Sequence, residues 1–233
     1  MKSIKVFAID IDGTITINGD GAVNLNALSK LRYLVKLGHK IIFVTGRSSI
    51  EAFTLSIFGG TTKIAIGENG GVITKSPFEH ILLADKEKCI MGYKLLKENF
   101  GEIENKCVFP RMTEVVLTRT FDINKGNKIL EENNLELVLV DSNYAFHINE
   151  KKINKAYGLS HLSNLMKINA SEIIAIGDSE TDIPMFRLCE NSITFESSKQ
   201  EVKEKAKYVV KGESGEGLIN ALDLIIQIKT TDI

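Results

Sequence analysis

The chain alternates short apolar runs with amphipathic stretches. Residues 4–11 form an almost unbroken apolar run that ends in Asp-Gly. Such a run fits a strand buried on both faces of a parallel sheet. Over 24–37, Leu28, Leu31, Leu34 and Val35 fall at helical spacing and Gly38 supplies a stop signal. A second apolar strand is predicted over 40–44. Ser48 and Glu51 then make an S-x-x-E capping box for a helix reaching about residue 58. A third strand covers 63–66, and Glu68-Asn69-Gly70-Gly71 turns the chain. This β-α-β-α-β order predicts a doubly wound, mostly parallel α/β sheet.

The middle has another rhythm: a helix over 85–100, a strand over 113–119, a helix over 122–133, then strands over 135–140 and 144–148. Only Asp141-Ser142-Asn143 separates the last two, too little for a parallel crossover, so they form an antiparallel hairpin. The α/β pattern resumes with a helix from about Asn154, a strand over 172–176, a helix over 181–188, a strand over 192–195 and a helix over 217–228. The expected organisation is a Rossmann-like core from 1–78 and 151–233, with an α+β cap of 79–150 inserted. Hinges are expected near 76–79 and 150–153.

Composition narrows the function. Hydrophobic residues are 43% and charged residues 25%, an ordinary globular balance. Twenty-nine Lys+Arg against thirty Asp+Glu give a net charge of -1, which removes the electrostatic case for a nucleic-acid or anionic-membrane binder. No apolar run approaches the ~18–20 residues of a membrane span. The apolar run at the start ends in acid, without the form of a secretory leader. Cys89, Cys107 and Cys189 are odd in number and make no CxxC pair, so neither a disulfide framework nor a zinc site is expected and the cytoplasm is the default compartment.

The candidate chemistry lies where strands end, since open α/β sheets bind ligands outside the carboxyl ends of their strands. The first strand ends in Asp10-Ile11-Asp12-Gly13-Thr14. The second ends in Val44-Thr45-Gly46-Arg47-Ser48 before a helix, where a hydroxyl and backbone N–H groups make an anion site. A later strand ends in Gly177-Asp178-Ser179-Glu180-Thr181-Asp182. Singly, each reads equally well as a solvated turn or a helix cap. Together, Asp10, Asp12, Asp178 and Asp182 would converge as carboxylates that repel and raise one another's pKa. An all-oxygen set relieved of that repulsion by a hard cation points to magnesium, and so to phosphoryl chemistry.

These pieces, in this order, resemble the haloacid dehalogenase superfamily. Asp10–Thr14 match its DxDGT motif, Thr45 its strand-end Thr, Lys155 its helix-start Lys, and Gly177–Asp182 its GDxxxD motif. The resemblance implies a magnesium-dependent phosphatase. In it Asp10 is the nucleophile and Asp12 the general acid and base. Thr45, Gly46 and Lys155 hold the phosphate, and Asp10, the main-chain carbonyl of Asp12, Asp178 and, directly or through water, Asp182 bind the metal. The position before the last Asp, often Asn in relatives, is Thr181 here. The insert resembles the cap of the subgroup whose cap follows the second motif. Asn154-Lys155, Asp141-Ser142 before His147, and Tyr208 to Glu216-Gly217 look most like the archaeal-type phosphoglycolate phosphatases.

That resemblance makes a small phosphorylated metabolite, 2-phosphoglycolate, the expected partner, with a homodimer possible. A substrate carboxylate needs a cation from the cap; Arg111 is the first candidate, then Arg119 and His147. The alternatives are a sugar-phosphate phosphatase or phosphomutase on the same fold, a phospho-accepting signalling module, and a nonenzymatic binding protein.

Overall fold

The computed structural model describes residues 4–17, 21–142 and 144–231. Residues 1–3 of the chain start and Asn143 of the expected hairpin turn lie outside them. Eight strands form one sheet in the order β11-β10-β9-β1-β2-β3-β4-β5. Its middle is built from β1 (Val6–Ile9), β2 (Lys40–Val44) and β9 (Ile173–Ile176), all parallel. Each of the three is apolar along its whole buried length because both faces are covered. Phe7, Ile9, Ile41, Phe43, Ile174 and Ile176 point to one face, against α1 (Leu25–Lys36), α2 (Ser49–Phe58) and α8 (Ser214–Thr231). Val6, Ala8, Ile42, Val44, Ile173 and Ala175 point to the other, against α5 (Lys155–Met166) and α6 (Ile183–Leu188).

The sheet continues on one side through β10 (Asn191–Phe195) and β11 (Tyr208–Val210), and on the other through β3 (Ala65–Gly67), β4 (Val72–Ser76) and β5 (Glu79–Leu82). The β3–β4 and β4–β5 pairs are antiparallel. The sheet therefore extends past residue 78. Residues 76–79, expected as a hinge, are the turn of the β4–β5 hairpin. The chain leaves the sheet after Leu82 and returns after Glu150. A short helix, α7 (Gln200–Lys203), precedes β11.

Between those points lies a three-stranded antiparallel sheet in the order β6-β8-β7, formed by β6 (Val115–Leu117), β7 (Leu137–Asp141) and β8 (Phe146–Glu150). The expected β7–β8 hairpin is present. The strand expected over 113–119 is trimmed to three residues, because Thr113 and Glu114 are engaged elsewhere. Helices α3 (Lys86–Phe100) and α4 (Ile123–Glu132) cover one face of this sheet around Leu96, Leu117, Leu130, Leu139 and Ile148. The two connections to the large sheet run side by side, tied where the Asp85 backbone N–H donates to Glu150 Oε1 at 2.8 Å.

After β3 the chain makes a 3-10 turn over Glu68–Gly70, with φ of 54° at Glu68, 54° at Asn69 and 99° at Gly70. At Gly70 a Cβ would stand 2.1 Å from the backbone oxygen of Asn154. At Gly38, with φ of 90°, a Cβ would meet nothing within 4 Å. Backbone strain alone costs about 1 kcal/mol, so Gly38→Ala should lose about that much in urea unfolding. Gly70→Ala adds a backbone clash that only movement of α5 can relieve, and should lose about 3 kcal/mol or more. Equal losses at the two positions would refute this reading of the turn.

Candidate active site

The parallel register brings the chemistry to one edge. Ile9 lies opposite Phe43 on one side and Ile176 on the other, so the residues following all three strands emerge together. The Asp10 N–H donates to the Ile176 carbonyl at 3.0 Å, which fixes Asp10 beside Gly177 and Asp178. One carboxylate oxygen from each of Asp10, Asp178 and Asp182 lies within 4.8 Å of the others.

Lys155, the first residue of α5, stands among them. It is 2% exposed, and its Nζ donates to Asp10 Oδ1 at 2.6 Å and Asp182 Oδ1 at 2.7 Å. Asn154 caps α5, its side chain accepting from the Tyr157 N–H. Burial works against the charge on Lys155, but the two carboxylates outweigh it and raise its pKa above the ordinary lysine value. Asp182 Oδ2 accepts from the backbone N–H groups of Asp178 and Ser179, both at 3.0 Å, and from Ser179 Oγ at 3.2 Å. Asp182 is thus occupied on both oxygens, holding Lys155 and the loop that carries Asp178. Thr14 Oγ1 donates to Asp178 Oδ1 at 3.0 Å. Thr181 hydrogen-bonds Ser179 through their hydroxyls at 2.8 Å.

Burial pushes the Asp178 carboxyl up to about 7, with Asp182 adding repulsion. Burial likewise raises Asp10, opposed by Lys155 and reinforced by Asp182 and Asp178. Three crowded carboxylates against one lysine leave excess negative charge in a buried, all-oxygen site. That donor set fits a hard divalent cation.

Asp12 differs from the expectation. Its carboxylate is not part of the cluster. It is half-exposed and paired with Arg47, whose Nε and Nη2 donate at 2.8–3.0 Å. Arg47 also donates to Glu51 Oε1 at 3.1 Å. The expected capping box is formed, with Ser48 and Glu51 bonded reciprocally. Thr45 is fully buried, and its Oγ1 accepts from the Arg47 N–H at 3.1 Å, so its own hydroxyl proton stays available to an anion. The Gly46 carbonyl accepts from Arg111 Nη1 at 2.7 Å.

Arg111 is thus the expected cap residue that reaches the phosphate loop. Its Nη1 also donates to Glu114 Oε1 at 2.9 Å, while its buried Nε–H has no partner among the described residues. His147 is buried between Glu114 Oε2 and Ser142 Oγ, at 3.1 Å from each. Arg119 pairs with Asp141. Neither is placed at the loop. Sequence reasoning missed Arg47 as a partner of Asp12, and it missed Glu68 and Glu114, which join the two sheets. The VTGR motif displayed Arg47 but not its direction.

The region as a whole sets the buried Thr45 hydroxyl and the start of α2 beside a buried carboxylate cluster at the carboxyl edge of a parallel sheet. A family model described as haloacid dehalogenase-like hydrolase matches residues 7–108 and 93–222. A protein of Nitrosopumilus maritimus named phosphoglycolate phosphatase is 50% identical over 224 residues, covering 96% of this chain and 97% of that protein. A second of that name, from Archaeoglobus fulgidus, is 35% identical over 95% of this chain and 96% of its own. The solved structure of Thermoplasma acidophilum 0175 superposes with a TM-score of 0.84 at 22% identity, covering 93% of this chain and 95% of that one. The chain belongs to the haloacid dehalogenase-like hydrolase family. Within that family it is a phosphatase.

The raised carboxyl of Asp178 sets a pH signature for cation binding. The folded protein keeps this proton up to about pH 7, whereas the unfolded chain releases it near 3.8. Metal-free stability should therefore fall as pH rises through that window. A divalent cation must displace the proton below pH 7. Saturating magnesium should raise Tm by several degrees at pH 8 and by roughly half as much or less at pH 5.5. A shift equal at both pH values would exclude Asp178 from the cation site.

Proposed function

We propose that the chain is a magnesium-dependent phosphatase that hydrolyses 2-phosphoglycolate to glycolate and phosphate through an aspartyl-phosphate. The observation that carries this reading is Asp10, buried at the strand tip with Lys155 on one oxygen and the other oxygen left for attack. The 50% identity to a protein named phosphoglycolate phosphatase, across nearly the whole of both chains, supports the substrate.

Asp10 attacks phosphorus as the bond to the alkyl oxygen breaks. Asp12, having taken a proton from solvent on leaving Arg47, gives it to the departing glycolate oxygen. Water then attacks the phosphoaspartate, the bond to Asp10 breaks, and the water proton returns to Asp12. For this Asp12 must leave Arg47, and substrate entry supplies the occasion by bringing its own anion to that loop. The Thr45 hydroxyl, the Gly46 N–H and the Lys155 ammonium hold the phosphoryl oxygens as charge redistributes. Asp10 and Asp178 would hold magnesium, whose chemistry when bound would be to neutralise charge on the transferring group. The substrate carboxylate is assigned to Arg111, whose Nε–H, without a partner among the described residues, and adjoining Nη2 form the edge a carboxylate takes bidentately once the cap moves. Three free thiols suit a reducing cytoplasm.

Phosphate release from 2-phosphoglycolate should require magnesium and fall more than about a thousandfold in Asp10→Asn, with the fold kept by circular dichroism. Asp12→Asn should slow turnover comparably, because the alkoxide then leaves unprotonated. Comparable kcat/KM on hexose phosphates would overturn the substrate assignment. Full activity of Asp10→Asn would overturn the mechanism.

A further inference from the structure

We propose that Glu68 is a positioning residue: it clamps the cap loop 111–114 to the phosphate loop 45–47 and so sets Arg111 for the substrate carboxylate. The inference rests on the phosphoglycolate reading above. Glu68 is fully buried, and among the described residues the hydrogen bonds its carboxylate accepts come from the cap loop. The Met112 N–H reaches its two oxygens at 2.9 and 3.0 Å, the Thr113 N–H donates at 2.7 Å, and Thr113 Oγ1 donates at 2.8 Å. A buried carboxylate is expensive unless satisfied in this way.

The same segment is pinned on its other side by its main chain. The Glu68 N–H donates to the Arg47 carbonyl at 2.8 Å, and the Asn69 N–H to the Thr45 carbonyl at 3.1 Å. Glu68 and Asn69 both adopt left-handed backbone, which L-residues rarely occupy. Together these contacts make one continuous hydrogen-bonded path between the two loops. The residue immediately before the clamped pair is Arg111, whose Nη1 sits on the Gly46 carbonyl. Lys86 Nζ fixes the Arg111 backbone from behind, donating to its carbonyl at 2.6 Å. The hydrogen bonds described for the Glu68 carboxylate go to Met112 and Thr113 and not to Asp10, Asp12 or Lys155; it acts through Arg111.

A clamp that only stabilised the fold would add its effect to that of any other change. A positioning residue loses its effect once the group it positions is gone. The test is a double-mutant cycle on KM for 2-phosphoglycolate, with Tm measured alongside. Glu68→Ala and Arg111→Ala should each raise KM about tenfold, and the double variant no further than Arg111→Ala alone. Glu68→Gln, which keeps an acceptor oxygen for Thr113, should recover KM to within about threefold of the parent. Penalties that multiply to about a hundredfold, or an unchanged KM in Glu68→Ala, would overturn the positioning role alone. An unchanged KM in Arg111→Ala would overturn the carboxylate assignment and the positioning role with it. Should Glu68→Ala fail to fold, Thr113→Val removes one donor at nearly constant shape. It should raise KM about threefold, and only where Arg111 is present; the same rise without Arg111 would overturn the proposal.

Discussion

The buried ammonium of Lys155 is the contact on which the rest of the molecule depends. Asp10 follows the first strand of the chain, Asp182 lies in the connection after β9, and Lys155 opens the helix that follows the inserted module. Two buried carboxylates without this cation would leave uncompensated charge in a low-dielectric place, among the costliest defects a fold can carry. The triad therefore does structural and chemical work together. It forces the chain returning from the insert to start α5 at the sheet edge. A lysine at a helix start opposes the helix dipole, and here the carboxylates of Asp10 and Asp182 resolve the conflict. The N-terminus of α5 and the ammonium then present positive potential at one spot, which is what a phosphoryl group needs.

The carboxylates divide their work according to how far their lone pairs are used. Asp182 is saturated by Lys155 and by the loop it folds, so it orients rather than reacts. Asp178 is partly used, by Thr14, and keeps the raised pKa of a group waiting for a cation. Asp10 has given one oxygen to Lys155. Asp12, two residues on, faces away into a bidentate pair with Arg47. Residues two apart need not share a direction once the chain has left the strand after Ile9 and turns at residues 11–14. One short motif thereby keeps nucleophile and proton carrier apart until an anion competes for Arg47.

What the sequence disclosed follows from burial. Strands β1, β2 and β9 were legible because both their faces are covered and their composition leaves no alternative. The β4–β5 hairpin was not, because β5 is only half-buried and Ser76-Pro77 reads as loop. β11 is three residues long with Val209 exposed, too little for any pattern. The strand-tip acids were visible as motifs, since local geometry alone brings them to the edge. The Glu68–Thr113 clamp and the Glu114–His147 pair join residues 45 and 33 positions apart. No periodicity encodes such partners. The turn Glu68-Asn69-Gly70-Gly71 announced a bend but not that its carboxylate would be swallowed by another loop.

The manner of joining the two sheets completes the argument. The apolar residues fall into separate clusters, two on the faces of the large sheet and one within the inserted module. The described contacts between phosphate loop and cap loop are hydrogen bonds and charges: Arg111 on Gly46, Glu68 on Met112 and Thr113, and a long contact from Asn69 to Glu114 at 3.5 Å. Polar contacts can be exchanged for water or substrate at little net cost, whereas a shared apolar core cannot be opened without exposing it. Asp85 and Glu150 meanwhile keep the two connecting strands together, so motion of the cap would pivot on a single narrow neck. The chemistry is thereby left to the rigid edge of the large sheet, and the choice of what reaches it to a loop that directional bonds alone hold in register.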